Sequence, residues 1–365
     1  MAYTTIDNPE LYFQTKLYTG TGNSLAITLD GDEDMQPDLV WLKRRDGSTY
    51  SHRWNDSVRG VSKTIYSDLT NAENTSDAQV VTSFNSDGFT LGTSAGSNAS
   101  GVNNVAWCWK ASGSTASNTN GTNITSTVDA NTTSGFSIVS WTGDGNASST
   151  VGHGLGSGGI DMLITKNRDN GSSNWYTKHK DLSSDNNLLL DSTTAQFSNS
   201  GSTYGGLDNL SASAVFGFDA GSSSVRANLN TEKQIAYCFT DVQGFSKVSG
   251  SFIGNGSLDG AFCFTGFRPA FIMLKCSSHA SSNWVILDNK RSNPFNDATC
   301  PDALYANDTA SEATASPWVD LVSNGFKCRG YNEGNTINAS GNTYIYIAFA
   351  EAPFVNSKGV PCNAR

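Results

Sequence analysis

The run Pro37-Asp38-Leu39-Val40-Trp41-Leu42-Lys43 returns as Ile160-Asp161-Met162-Leu163-Ile164-Thr165-Lys166, and again as Pro269-Ala270-Phe271-Ile272-Met273-Leu274-Lys275. Apolar residues in an unbroken row ahead of a lysine describe a strand covered on both faces or nearly so. Trp54, Trp175 and Trp284 follow those lysines at eleven, nine and nine residues, each soon followed by an aspartate: Asp56, Asp181 and Asp288. Upstream of each copy lies a G-x-G turn: Gly20-Thr21-Gly22, Gly143-Asp144-Gly145 and Gly254-Asn255-Gly256. Downstream, Ser86-Asp87-Gly88-Phe89 matches Ser323-Asn324-Gly325-Phe326, while the middle copy has Val215-Phe216-Gly217-Phe218. Each copy closes on an apolar strand, which aligns Ala106, Ala236 and Ala348. Landmarks in one order, three times over, make this an internal repeat.

Composition sets the class. Only 15% of the 365 residues are charged, while 18 Phe, 12 Tyr and 8 Trp supply apolar bulk. Aromatic and β-branched residues fill pleated faces, and the abundant Gly, Ser, Thr and Asn make turns. No window of a dozen residues carries apolar spacing of three and four, so helices are expected to be few and short. The expected fold is all-β: three tandem β-sandwich domains, jelly-roll or lectin-like, of about 110 residues each. They span 1–111, 135–242 and 243–354, with a C-terminal tail at 355–365. Ser112 to Ser134, almost wholly Ser, Thr, Asn, Gly and Ala, reads as a linker. Val242-Gln243-Gly244 leaves no slack, so the second and third units are expected to pack rigidly and the first to be freely placed.

A net charge of −10 with no basic run beyond Lys43-Arg44-Arg45 argues against nucleic acid. No basic segment followed by an apolar stretch marks a signal peptide, and no apolar run approaches a membrane span, so membrane insertion is not expected. Seven cysteines without paired metal spacing read as buried thiols, with one disulfide open among Cys263, Cys276, Cys300, Cys328 and Cys362.

Motifs with chemical content are weak. Gly92-Thr93-Ser94-Ala95-Gly96 has the form of a nucleophile elbow, but poor helix formers follow it. Asp30, Asp32 and Asp34 mimic the start of a calcium loop, then Met35 and Trp41 stand where glycine and glutamate belong. His52, His153, His179 and His279 share no metal spacing. No catalytic residue, cofactor or metal is therefore expected. The repeat tryptophans read as core. Recognition is expected at loop tips and clefts between copies, with Tyr204, Tyr331 and Tyr344 as ligand-contact candidates.

Tyr12-Phe13-Gln14-Thr15, Leu17 to Gly20, Pro37 to Arg44, Asp56-Ser57-Val58-Arg59-Gly60, Ser83 to Gly92 and Ala106 to Lys110 resemble repeats of marine tailed-phage virion structural proteins. The resemblance is dense over 1–111; the later copies lack the D-S-V-R-G string. It implies a non-enzymatic protein on the virion surface, assembled in the bacterial cytoplasm. One form is a trimeric tail-fibre or adhesin component that binds host surface glycans. The other is a capsid decoration protein contacting other virion proteins; a first unit beginning close to Met1, without a coiled coil, points that way.

Overall fold

A computed structural model describes residues 2–47, 50–199, 204–208, 210, 213–219, 224–291, 302–312, 319–329 and 336–362. It is almost entirely antiparallel β-structure, and its described helices are the short turns Pro9–Leu11, Ala95–Asn98 and Arg226–Asn228. The continuous apolar runs are explained by what lies on either side of them. In the closing strand Asn103–Trp109, the side chains of Val105, Trp107 and Trp109 enter one buried cluster, and those of Ala106 and Cys108 enter another. Ile235, Tyr237 and Phe239 share the first cluster, while Ala236 and Cys238 belong to a separate one. Ile345, Ile347 and Phe349 again share the first, and Tyr346, Ala348 and Ala350 have their own. Period-two alternation thus sends one face of every copy to a common core and the other to a private core.

Sheet order repeats with the sequence. Opening strand, closing strand, lysine strand and the strand after it are neighbours in that order in each copy. In the first these are Phe13–Thr19, Asn103–Trp109, Leu39–Arg44 and Arg53–Asp56. In the second they are Phe136–Thr142, Lys233–Phe239, Met162–Asn167 and Tyr176–His179, and in the third Ser246–Ile253, Thr343–Pro353, Phe267–Cys276 and Val285–Asp288. Smaller antiparallel sheets lie beyond the private cores, among them Leu25–Thr28 with Gly88–Leu91 and Val81–Asn85, and Phe262–Phe264 with Gly325–Cys328 and Val319–Val322.

Residues 112–134 are not a free linker. Ser126–Asn131 pairs with the opening strand from Asn131↔Phe136 to Thr127↔Ser140, and Ala116–Asn118 pairs onto it in turn. Small polar side chains hid this because the strands are held by backbone bonds, with only Ile124 and Val128 anchoring them in the private core of the second copy. The first unit is not freely placed either: Trp41, Trp54, Trp107 and Trp109 are fully committed to the common core. The tail folds back, with Val355 bridging Pro361 and Ser357 bonded to Asp7.

The common core has an axis. Trp109, Phe239 and Phe349 face Leu39, Met162 and Phe271 in their own sheets, so they hold one position in three copies. They also meet one another, with ring centroids 6.5, 5.6 and 5.9 Å apart. Equivalent residues in mutual contact place the copies around a pseudo-threefold axis.

Candidate functional site

The polar chemistry of the molecule gathers at the seams between copies. Strand register first corrects the sequence alignment there. Leu39, Met162 and Phe271 pair with Asp56, His179 and Asp288, so His179 and not Asp181 is the counterpart of the two aspartates. The same register makes His52, Trp175 and Trp284 equivalent, each nine residues beyond its lysine. Trp54 lies two residues further, on the same strand face, which is why it passed for the repeat tryptophan. Ala106 and Ala236 correspond to Tyr346 rather than Ala348, because Leu42, Thr165 and Leu274 pair with those three.

With that register, three equivalent contacts run head to tail around the ring. Trp175 Nε1 donates to Tyr66 O in the first copy at 2.8 Å, and Trp284 Nε1 to Leu189 O in the second at 2.9 Å. His52, which accepts from Trp41 Nε1 at Nδ1 (2.8 Å), faces the Tyr305 backbone of the third. The Glu73, Gln196 and Glu312 amides donate across the seams to Arg168 O, Ser277 O and Arg45 O, at 2.7, 2.8 and 2.9 Å. The repeat lysines are buried, and their ammonium groups bond backbone carbonyls. Lys43 reaches Tyr50 O and Thr309 O (2.9 and 3.0 Å), and Lys166 reaches Ser173 O and Thr70 O (2.5 and 2.8 Å). Lys275 holds Ser282 O. Burial pulls all three lysines down to about 8.

Two seams are charged and one is neutral. At the first, Asp56 accepts from Arg59 Nε at 2.5 Å and from Tyr237 of the second copy at 2.7 Å; Arg59 also meets Glu73 at 3.1 Å. Glu73 in turn holds Arg168 of the second copy through a two-pronged contact at 2.9 Å. Burial works against the Arg59 charge, but Asp56, Tyr237 and Glu73 outweigh it and hold the guanidinium above its ordinary range. The third copy repeats the device against the first: Asp288 with Arg291 (2.6 Å) and Trp107 (2.9 Å), and Glu312 with Arg291 (3.0 Å) and Arg45 (2.8 Å). Between second and third copies the same positions are His179, Leu182, Gln196 and Ser277. His179 Nδ1 accepts from the Asp181 amide, which leaves Nε2 to donate to Tyr346 O at 3.4 Å.

A family model described as a domain of unknown function, DUF7483, matches residues 8–353, running through all three copies as one unit. The chain belongs to the DUF7483 family. No curated protein and no solved structure matches it.

In this DUF7483 member the residues singled out by motif are spread over the scaffold. Ser94 Oγ donates to Asp77 at 2.5 Å, so it is bound to a carboxylate rather than to a histidine base, and the short helix behind it holds Arg53 against Gly96. Asp30 is exposed and paired with Lys16, and the described residues include no cluster of three His, Cys, Asp or Glu able to hold a metal. His153 bonds Ser213 O at 2.8 Å, and His279 lies exposed beside Ala280 O. Cys108, Cys238, Cys263, Cys276 and Cys328 are buried free thiols and Cys362 is exposed. Burial pushes Cys238 and Cys328 up to about 12, and Cys300 lies outside the described residues.

Of the three ligand-contact candidates, Tyr344 is corrected outright. It is fully buried in the closing strand, stacked 5.0 Å from Phe252, with its hydroxyl accepting from the Ala339 amide at 2.9 Å. Tyr204 lies in the two-residue strand Tyr204–Gly205, beside Ser224–Val225. Tyr331 lies outside the described residues. Sequence reading missed the buried asparagines that hold the G-x-G turns. Asn98, Asn228 and Asn338 accept amide bonds at their carbonyls from Gly22, Gly145 and Gly256, at 2.7, 2.8 and 2.8 Å. A Cβ on Gly20, Gly143 or Gly254 would sit 2.3, 2.2 or 2.3 Å from the next carbonyl, so only glycine fits there. The signal was present: Asn98-Ala99-Ser100-Gly101 recurs intact as Asn338-Ala339-Ser340-Gly341.

Proposed function

We propose that this chain is a non-enzymatic structural protein at the surface of a tailed-phage virion, a tail-fibre or adhesin component that holds host surface glycans. In this reading each repeat is a β-sandwich of two sheets, and the partners are other virion proteins, further copies of the chain and a host glycan. The observation that carries the proposal is the use made of the buried ionisable groups. Perturbed titratable residues are where chemistry is ordinarily sought. Here Lys43, Lys166, Arg59 and Glu73 each bond a residue of a neighbouring copy: Thr309, Thr70, Tyr237 and Arg168. Such a ring is a rigid scaffold that presents loops outward, and the sequence resemblance to virion proteins supplies the setting. The described residues contain no helix long and apolar enough to cross a membrane.

A second reading, capsid decoration, draws on the same ring. A compact body with pseudo-threefold form suits a local threefold position on a capsid, and the strands at 116–118 and 126–131 stand where a flexible linker would have let the first unit reach outward. Adsorption competition separates the two. Free protein added to host cells should slow phage adsorption. Unimpeded adsorption, with antibody labelling confined to the capsid lattice, would refute the fibre reading in favour of decoration.

A further inference from the structure

The second copy carries a cover that the third lacks. Its segment 122–131 pairs with the opening strand and also reaches the edge of the smaller sheet. There Thr150 N donates to Thr122 O at 3.1 Å, and Ser126 Oγ to Gly152 O at 2.8 Å. Thr150–Gly152 follows the G-x-G turn of its copy, as Phe262–Phe264 follows that of the third. Phe262–Phe264 is the edge strand of its own smaller sheet, and no described strand pairs with its outer side. Bonds from Cys328 N to Ala261 O and from Thr265 N to Asn324 O, at 2.9 and 3.0 Å, fix the phase of that sheet. Antiparallel pairing alternates, so Cys263 turns its backbone to Phe326, and Phe262 and Phe264 turn theirs to the free edge. Of those outward groups, Phe264 O meets the Tyr346 hydroxyl at 3.5 Å.

The third copy also changes the side chains along that edge. Among the described residues six large apolar side chains are exposed, and four of them, Ile253, Leu258, Phe262 and Phe264, fall between 253 and 264. Phe264 is 58% exposed and Ile253 67%. Register assigns Phe262 and Phe264 to Ala26 and Thr28 of the first copy, since Cys263 and Ile27 face Phe326 and Phe89. Ile253, next to its G-x-G turn, stands where Thr19 and Thr142 stand, and Leu258 where Ser24 and Ala147 do. Aromatic rings in water beside an unpaired strand edge make a pairing surface.

We propose that this edge is where a second molecule of the chain docks, strand Phe262–Phe264 against the same strand across a two-fold axis. Antiparallel self-pairing about Cys263 exchanges backbone bonds between Phe262 of one molecule and Phe264 of the other. It also sets those rings beside one another on the outer face. The charge pattern selects this occupant. The chain carries a net charge of −10, so two molecules repel over most of their surface. Residues 249–264 hold a single charged group, Asp259, and Lys327 pairs with it. Two molecules can approach on this face without repulsion, and mutual burial of the phenylalanines favours the contact. The inference does not depend on the virion reading.

The test is sedimentation equilibrium of the full chain from about 1 to about 200 μM. Apparent mass should rise from 38.7 kDa toward twice that value and stop there. Phe262→Ala with Phe264→Thr, which installs the residues of the first copy, should weaken the dimer at least about tenfold without lowering Tm. Hydrogen exchange serves if that variant fails to fold. The Phe262 and Phe264 amides should exchange more slowly at the high end of the range than at the low end, and equal rates would overturn the pairing. A chain that stays monomeric throughout overturns the proposal, as does a dimer that the folded double variant leaves intact. Mass growing past the dimer would mean open, head-to-tail contacts and would likewise overturn it.

Discussion

Asn98 shows how a residue with no chemistry can hold a turn by itself. Its Nδ2 donates to Asn23 O and Gly92 O at 2.5 and 2.7 Å, and its Oδ1 accepts from Thr21 N at 2.8 Å. Asn98→Ala strands those groups and should cost about 2–4 kcal/mol in chemical denaturation; a loss below 1 kcal/mol would show that water replaces the side chain. His179 carries a pH signature. Burial lowers it to about 4, below the ordinary imidazole value near 6.5, outweighing Asp181, Asp241 and Asp161. The folded state therefore resists a proton that the unfolded chain accepts, and this residue's share of stability is lost as pH falls from about 6.5 towards 4. Measured against His179→Gln, the native chain should lose ground across that window; a constant difference would contradict the assignment. At this scale the sequence was half legible. The lysines announced themselves by ending every apolar run. His52 did not, because Trp54 on the same strand face made the more obvious match. Tyr344 looked like a loop-tip contact because the residues before it are polar, yet strand alternation turns it inward.

The seam is the element that this fold repeats with variation. Arg59→Leu alone leaves Asp56 and Glu73 buried and short of charge partners. It should cost about 3–5 kcal/mol. The combination Asp56→His, Arg59→Leu, Glu73→Gln and Arg168→Ser reproduces the neutral seam between the second and third copies, and should cost less than Arg59→Leu does. A larger loss, read by denaturant titration, would mean that the charges do more than satisfy one another. The register that relates these residues was not legible in the D-S-V-R-G string, because the third copy keeps only its first and fourth positions, as Asp288 and Arg291. Strands at 116–118 and 126–131 were illegible for another reason: pairing through the backbone needs no apolar side chains, so their composition mimics a linker. Brief protease treatment of the native chain should accordingly leave 124–131 uncut, and prompt cleavage there would restore the linker reading.

At the scale of the molecule, the faces that the repeats turn to one another are as apolar as those they bury within themselves. Trp41, Trp54, Trp107, Trp175 and Trp284 all lie in the common core, and Trp109, Phe239 and Phe349 close its axis. A first repeat standing alone would expose that surface to water, at roughly 25 cal/mol for each Å². The sequence showed three copies but could not show the ring, since a strand buried on both faces reads alike whether its cover is its own second sheet or a neighbour. The claim that the copies share one core, and are not beads on a string, is tested most directly by differential scanning calorimetry of the full chain. The shared core predicts a single endotherm whose calorimetric and van't Hoff enthalpies agree. Separable endotherms, with the first repeat melting independently of the others, would contradict it.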